Sequence, residues 1–133
     1  MQVIPATDRI SKRAAADYFT GVVWQEEVVV APEPARIRGL RVTFEPGART
    51  NWHSHPYGQT LIVTDGVGWV QLEGEPAQMI RAGDTVWIQP GERHWHGASA
   101  TRAMTHYALQ EAKDGKPAYW EEPVSDADYA AAG

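Results

Sequence analysis

Residues 47–66 read GARTNWHSHPYGQTLIVTDG, and the spacing of glycine, histidine and glutamine in this stretch is the strongest structural signal in the chain. Alternate residues of a strand project from one face roughly 6–7 Å apart, so His53 and His55 can direct two imidazoles at one ion. Gln59 follows a Pro-Tyr-Gly turn and begins the next strand run, where its amide oxygen can act as a third ligand. The stretch therefore predicts a metal site between two strands.

The other histidines extend this pattern. His94 and His96 form a second pair with the same spacing in GERHWHGA, and His106 shares a strand face with Gln110 and apolar residues. A face that carries polar groups among apolar neighbours is a candidate pocket wall. Simpler interpretations stay open, because such histidines also occur as hydrogen-bonded core residues, and the Gln59 amide could instead orient a neighbouring imidazole.

Composition limits the classes of protein to which the chain can belong. At 133 residues, 43% of them hydrophobic, it has the size of one globular domain with a modest core. The net charge of -5 argues against nucleic acid and anionic membranes as partners, and the absence of cysteine excludes disulfides and thiolate metal sites. The N-terminal residues lack a signal-peptide core, so we expect a cytoplasmic protein. The charge balance favours a small molecule as its ligand.

Glycine and proline recur every eight to twelve positions between short β-branched or aromatic runs, which is typical of an all-β protein. One short helix is predicted over residues 11–19, with Ser11 as its N-cap and Gly21 ending it. In LRVTFE, Leu40, Val42 and Phe44 share the face expected to point inward. The predicted strands begin at Val22, Ile37, Gln59, Gly68, Asp84 and Arg102.

Both histidine pairs lie in stretches that resemble the two motifs of the cupin family. The first reads G-x5-H-x-H-x3-Q-x6-G from Gly47, with glutamine in place of the usual glutamate. The second, GDTVWIQPGERHWHGA, aligns at Gly83, Gly91 and His94 and departs at two positions that hold no ligand, Gln89 and Ala98. The resemblance implies a single all-β cupin domain over residues 1–133, a jelly-roll β-barrel. An arm and first strand would occupy residues 1–35 and the barrel core residues 40–111.

Four runs are similar to the small bacterial cupins known as manganese-dependent (R)-hydroxynitrile lyases: VTFEPGART, HPYGQTLIVT, GERHWHGA and AMTHYALQE. This resemblance implies a divalent ion, manganese first, held by His53, His55, Gln59 and His94. The same ligands also accept iron, nickel or zinc. The resemblance also implies that His96 and His106 assist the chemistry. The expected substrate pocket includes Leu40, Val42 and Gln110.

A neutral amide in the ligand set leaves the ion its full charge, which favours Lewis-acid chemistry over redox chemistry. Together with this chemistry, the resemblance implies reversible cleavage of cyanohydrins, such as mandelonitrile, to an aldehyde and hydrogen cyanide. A metal-dependent cupin dioxygenase and a non-enzymatic ligand-binding cupin are the alternatives. Six tryptophans and the Val28–Val30 run exceed what a small barrel readily buries, so a homodimer or homotetramer is also expected.

Overall fold

The computed structural model describes residues 1–133, which form twelve strands, one short 3-10 helix and one α-helix. The strands are β1 Lys12–Arg13, β2 Phe19–Thr20, β3 Val23–Val30, β4 Ile37–Phe44, β5 Arg49–Thr50, β6 His53–Ser54, β7 Gln59–Leu72, β8 Gln78–Arg81, β9 Thr85–Ile88, β10 His94–Ala98, β11 Met104–Glu111 and β12 Tyr119–Trp120. The 3-10 helix covers Ala6–Asp8, and α1 covers Asp126–Ala132. The expected all-β jelly roll is confirmed.

The long strand β7 joins the two halves of one curled sheet. Its first half pairs with β11 and β9, and its second half pairs with β10 and β8. The runs predicted to begin at Gln59 and Gly68 are therefore one continuous strand. Gly66 lies between the halves with a φ of 75°, and a Cβ there would fall 1.8 Å from the Ala103 carbonyl oxygen. Only glycine permits this close passage of the chain.

The register of the central strands places the predicted pocket residues on one inner face. His106 of β11 lies between Val42 of β4 and Val63 of β7. The register between β11 and β7 shifts beside His106, at a bulge of the kind that re-aims a side chain next to a functional site. Two further rows of paired residues follow along the same three strands: Leu40–Ala108–Leu61 and Arg38–Gln110–Gln59.

The predicted helix over residues 11–19 is wrong. This segment forms β1 and β2 with a turn between them, and its backbone bonds to the sheet: the Ala14 N–H donates to the Val23 carbonyl. Phe19 is buried and packs against Phe44 and Trp120. Packing of this aromatic ring on the barrel outweighs the weak helix preference of the alanine-rich run.

The C-terminal residues, to which we assigned no role from the sequence, cross the barrel and end in α1. Ser125 caps α1 by accepting a hydrogen bond from the Asp128 N–H. Val124 packs with Trp52 and Trp95 in a small second core. No helix of the structure combines the length and the apolar character needed to span a bilayer.

Candidate metal centre

All five histidines of the chain are buried and gather in the barrel interior. His53 of β6 pairs directly with His94 of β10, and their ring centroids lie 4.2 Å apart. The centroid of His55 lies 5.0 Å from that of His53 and 5.4 Å from that of His94. The two H-x-H pairs therefore meet in the barrel interior.

Three of the histidines each make a hydrogen bond to the backbone that fixes their tautomer. In each, Nδ1 lies within hydrogen-bond distance of a backbone carbonyl, which can only accept, so Nδ1 carries the proton and Nε2 keeps its lone pair. Such a histidine presents Nε2 ready to bind a metal ion. The three pairs are His53 with Asn51 at 2.9 Å, His55 with Pro117 at 2.8 Å and His94 with Glu92 at 2.9 Å.

The Gln59 amide is oriented by a short chain of hydrogen bonds. Gln110 Nε2 donates to the Arg38 carbonyl at 3.0 Å, which turns Gln110 Oε1 towards Gln59 Nε2, also at 3.0 Å. Gln59 Oε1 therefore points to the histidines and lies 3.3 Å from His94 Nε2. Because His94 Nε2 also offers a lone pair, two acceptors face each other with no proton to share.

This pair of acceptors is the observation that tests whether the residues suit a metal ion. Two lone pairs at 3.3 Å repel, and a cation that both atoms coordinate removes the repulsion. His55 Nε2 is also buried and has no hydrogen-bond partner. Nitrogen and amide oxygen donors suit a divalent ion of the first transition series. The residues present therefore fit the ion that the sequence implies.

Among the histidines, the geometric cluster differs in one member from the predicted ligand set. The ligand atoms of His53, His94 and His96 lie within 4.8 Å of one another, whereas His55 is outside this trio. His96 differs from the three anchored histidines, because its Nδ1 lies 3.0 Å from His106 Nε2 rather than against a carbonyl. Both rings of this His96–His106 pair pack against Phe44.

Burial lowers the pKa of every one of the five histidines. It lowers the pKa of His94 and of His106 to about 4. The pKa values of His53 and His96 fall well below 6.5, because burial acts together with repulsion from neighbouring imidazoles. At neutral pH all five rings are therefore uncharged, which is the state needed to bind a cation or to accept a proton.

Four of the five histidines, all but His94, line a cavity of about 350 Å³. Its walls include Leu40, Val42 and Gln110, the three residues expected to line the substrate pocket. Other lining residues were not assigned to the pocket from the sequence, although Phe44 shares the predicted inward face of Leu40 and Val42. The missed aromatic and polar lining residues are Tyr18, Phe19, Gln25, Phe44, Thr50 and Trp120.

The lowered pKa values predict that the metal-free protein loses stability in mild acid. Well above pH 6.5 the histidines are neutral in both the folded and unfolded states and contribute no pH dependence. As the pH falls from 6.5 towards 4, the unfolded chain binds protons that folded His94 and His106 refuse, so each lowers the free energy of unfolding by about 1.4 kcal/mol per pH unit. Urea denaturation of metal-free protein between pH 7.5 and 4.5 measures this slope. A midpoint that is constant over this range would contradict the burial of neutral histidines.

The fold and this centre together define a small β-barrel protein with a buried, histidine-rich candidate site for a divalent metal ion. Residues 40–108 match the Cupin domain family, and the chain belongs to the cupins. A curated relative, the (R)-mandelonitrile lyase of Granulicella tundricola, is 53% identical over 129 residues, which cover 97% of this chain and 98% of the relative.

Solved structures agree with this membership. The crystal structure of a cupin-like protein from Thermotoga maritima superimposes with a TM-score of 0.86 at 38% identity, covering 95% of both chains. A predicted oxalate decarboxylase from the same organism gives a TM-score of 0.72 over 81% of this chain and 96% of its own. At 19% identity, this second likeness shows the fold alone.

Proposed function

We propose that this protein is a metal-dependent hydroxynitrile lyase that cleaves cyanohydrins reversibly to an aldehyde and hydrogen cyanide. The observation that carries the proposal is the 53% identity to an (R)-mandelonitrile lyase over 97% of the chain. The site supports it, because a cavity with mainly apolar walls brings candidate metal ligands beside a separate pair of neutral histidines.

We assign the ion to His53, His55, Gln59 and His94, with manganese as the expected metal. The anchored Nδ1 atoms of the three histidines and the oriented amide of Gln59 support this set. A divalent ion held there would supply Lewis acidity, which lowers the pKa of a cyanohydrin hydroxyl.

The His96–His106 pair is the proposed proton acceptor. Both rings are neutral and line the cavity, and each keeps one buried nitrogen without a partner, His96 Nε2 and His106 Nδ1. When one ring accepts the hydroxyl proton, it becomes an imidazolium whose other N–H donates to the neighbouring ring at 3.0 Å. This charge-assisted hydrogen bond stabilises the cation and offsets part of the cost of burying it.

Loss of the hydroxyl proton drives the bond cleavage. The oxygen lone pair forms the aldehyde C=O bond while the C–C bond to the nitrile breaks, and cyanide leaves with that electron pair. The imidazolium then returns its proton to cyanide, which gives hydrogen cyanide and restores the neutral pair. In the reverse direction the same residues deprotonate hydrogen cyanide and protonate the alcohol oxygen.

The cavity walls suit the organic group of the substrate. Leu40, Val42 and Phe44 form an apolar wall on β4, and Trp120 also lines the cavity, with Tyr18 stacked on it at 4.8 Å. A volume of about 350 Å³ accommodates an aromatic or aliphatic cyanohydrin. Gln110 also lines the cavity, where its amide can contact a polar group of the ligand.

A direct experiment combines elemental analysis with a cleavage assay. Protein purified without added metal is analysed for bound metals, and mandelonitrile cleavage is then measured before and after treatment with a chelator. The proposal expects one ion per chain and cleavage that is lost on chelation and regained with Mn²⁺. Metal-loaded protein without cleavage would reject the lyase, and oxygen uptake with a phenolic or diketone substrate would support a dioxygenase instead.

The neutral ligand Gln59 provides a second prediction. Gln59→Glu is expected to keep the ion but to slow mandelonitrile cleavage by about ten-fold, the effect of a one-unit rise in the hydroxyl pKa. The reason is that an added negative charge weakens the polarisation of the substrate oxygen. Gln110→Glu, which places the same charge one hydrogen bond farther away, is the control and should cost less. Equal metal content with unchanged cleavage in Gln59→Glu would contradict the role of the amide.

We also propose that residues 1–133 form one cupin domain and that the protein assembles as a homodimer or homotetramer. The outer face of the sheet supports assembly, since Trp87 and Ile62 are exposed there on the paired strands β9 and β7. Val30 is also half exposed. Covering these side chains would remove apolar surface from water.

A further inference from the structure

The C-terminal segment over residues 117–126, here called the strap, closes one side of the metal centre. Its strand β12 pairs with β6, and the register sets Trp120 opposite His53. Pro117, Ala118 and Trp120 all line the cavity that holds the histidines. The strap is therefore part of the wall of the site, although it lies outside both cupin motifs.

The strap supplies the hydrogen bond that fixes His55. The other two anchored histidines, His53 and His94, bond to carbonyls two residues earlier in their own segments. His55 differs, because the carbonyl against its Nδ1 belongs to Pro117, which is 62 residues away in the sequence. If the strap moves away, His55 loses its tautomer and its ring orientation, whereas His53 and His94 keep theirs.

The strap also holds the ring of His53. The indole of Trp120 stacks on that imidazole, with centroids 4.5 Å apart and planes at 26°. This contact blocks rotation of the ring about its side-chain bonds and keeps water from one face. Trp120 is itself held by stacking on Tyr18 at 4.8 Å. Trp120 of the strap therefore restrains His53, the other candidate ligand of the His53–His55 pair.

Several contacts fasten the strap to the barrel. Buried Arg49 donates to the Val124 carbonyl at 2.9 Å and to Asp126 at 2.7 Å. Arg93, which precedes His94, bonds to Glu121 and Glu122 and lies over the Trp52 ring. The Asn51 side-chain amide donates to the Glu121 carbonyl at 3.0 Å. These contacts connect the strap to the segments that carry His53 and His94.

We propose that the strap is a positioning element of the metal centre, in which the Pro117 carbonyl orients His55 and Trp120 orients His53. The inference rests on the proposed ligand set, and it adds that ion binding and strap docking are coupled. A docked strap raises the affinity for the ion, and by thermodynamic linkage the bound ion stabilises the docked strap by the same factor. Partners that orient metal-binding histidines typically contribute 10- to 100-fold in metal affinity.

Substitutions in β12 test the first half of this coupling. Trp120→Leu is expected to raise the Mn²⁺ dissociation constant about 10-fold or more, measured by titrating metal-free protein and following the EPR signal of the free ion. Trp120→Phe keeps an aromatic face and should restore most of the affinity. Tyr119→Leu is the matched control, because Tyr119 neighbours Trp120 in β12 but is exposed, and it should bind Mn²⁺ like the wild type.

Hydrogen exchange tests the second half on the unaltered protein, so the result does not depend on a variant that folds. The backbone amides of Trp52 and Glu121 donate the hydrogen bonds that join the barrel and the strap. Both amides should exchange about 10-fold more slowly once Mn²⁺ is bound. Equal exchange with and without Mn²⁺, or equal affinity in folded Trp120→Leu and Tyr119→Leu, would overturn the proposal. Wild-type protein that binds no Mn²⁺ would instead reject the ligand set on which the proposal rests.

Discussion

Replacing His106 with alanine is expected to slow cyanohydrin cleavage by about 10²- to 10⁴-fold while leaving the metal content unchanged. His106 carries no assigned coordination bond, and its only side-chain hydrogen-bond partner is His96, at 3.0 Å. Its removal takes away one half of the proposed base and leaves His96 Nδ1 without a partner. Steady-state kinetics with mandelonitrile and elemental analysis of the same samples measure the two quantities.

A second variant separates the base from a structural hydrogen bond. His106→Gln keeps much of the side-chain volume and can still bond to His96, but an amide does not accept a proton at neutral pH. We expect it to be as slow as His106→Ala. Wild-type cleavage in metal-loaded His106→Ala would remove His106 from the mechanism and leave His96 as the base candidate. Recovery in His106→Gln would show that His106 only positions its neighbour.

The parts of the fold that follow from local pattern could be predicted from the sequence. Alternation in β4 predicts the inward face of Leu40, Val42 and Phe44, and the H-x-H spacing of His53 and His55 predicts that both imidazoles project from one face. Both signals depend only on the two-residue period of a strand, which is fixed by backbone geometry. The strand β10 was not anticipated as a strand, because charged and aromatic residues around His94 hide an element that is buried throughout.

The contacts that finish the site could not be predicted, because they join distant parts of the chain. No local pattern indicates that the Pro117 carbonyl meets His55 or that Trp120 stacks on His53. The N-terminal segment shows the same limit: an alanine-rich run with Ser11 before it resembles a helix, yet the burial of Phe19 makes it part of the sheet. The C-terminal helix did carry a local signal, since Ser125 followed three residues later by Asp128 is a capping pattern.

Substitutions of His55 and His96 are expected to have the other large effect, because they decide which of the two histidines binds the ion. His55→Ala is expected to weaken metal binding by more than about 100-fold, since loss of a ligand exceeds the effect of losing a partner that only orients one. Cleavage should be lost with the ion. His96→Ala is expected to retain the ion and to lose cleavage, because His96 belongs to the proposed base. Elemental analysis and mandelonitrile kinetics on both variants provide the comparison.

The physical reason for this expectation lies in the proton on each ring. The carbonyl of Pro117 obliges His55 to carry its proton on Nδ1, which leaves a lone pair on the buried Nε2 whatever its neighbours do. His96 can offer a lone pair at Nε2 only when the proton shared with His106 resides on its own Nδ1. Using His96 as a ligand would therefore lock the proton that the base must exchange. Loss of the ion from His96→Ala, with the ion retained in His55→Ala, would reverse the assignment and make the geometric trio of His53, His94 and His96 the ligand set.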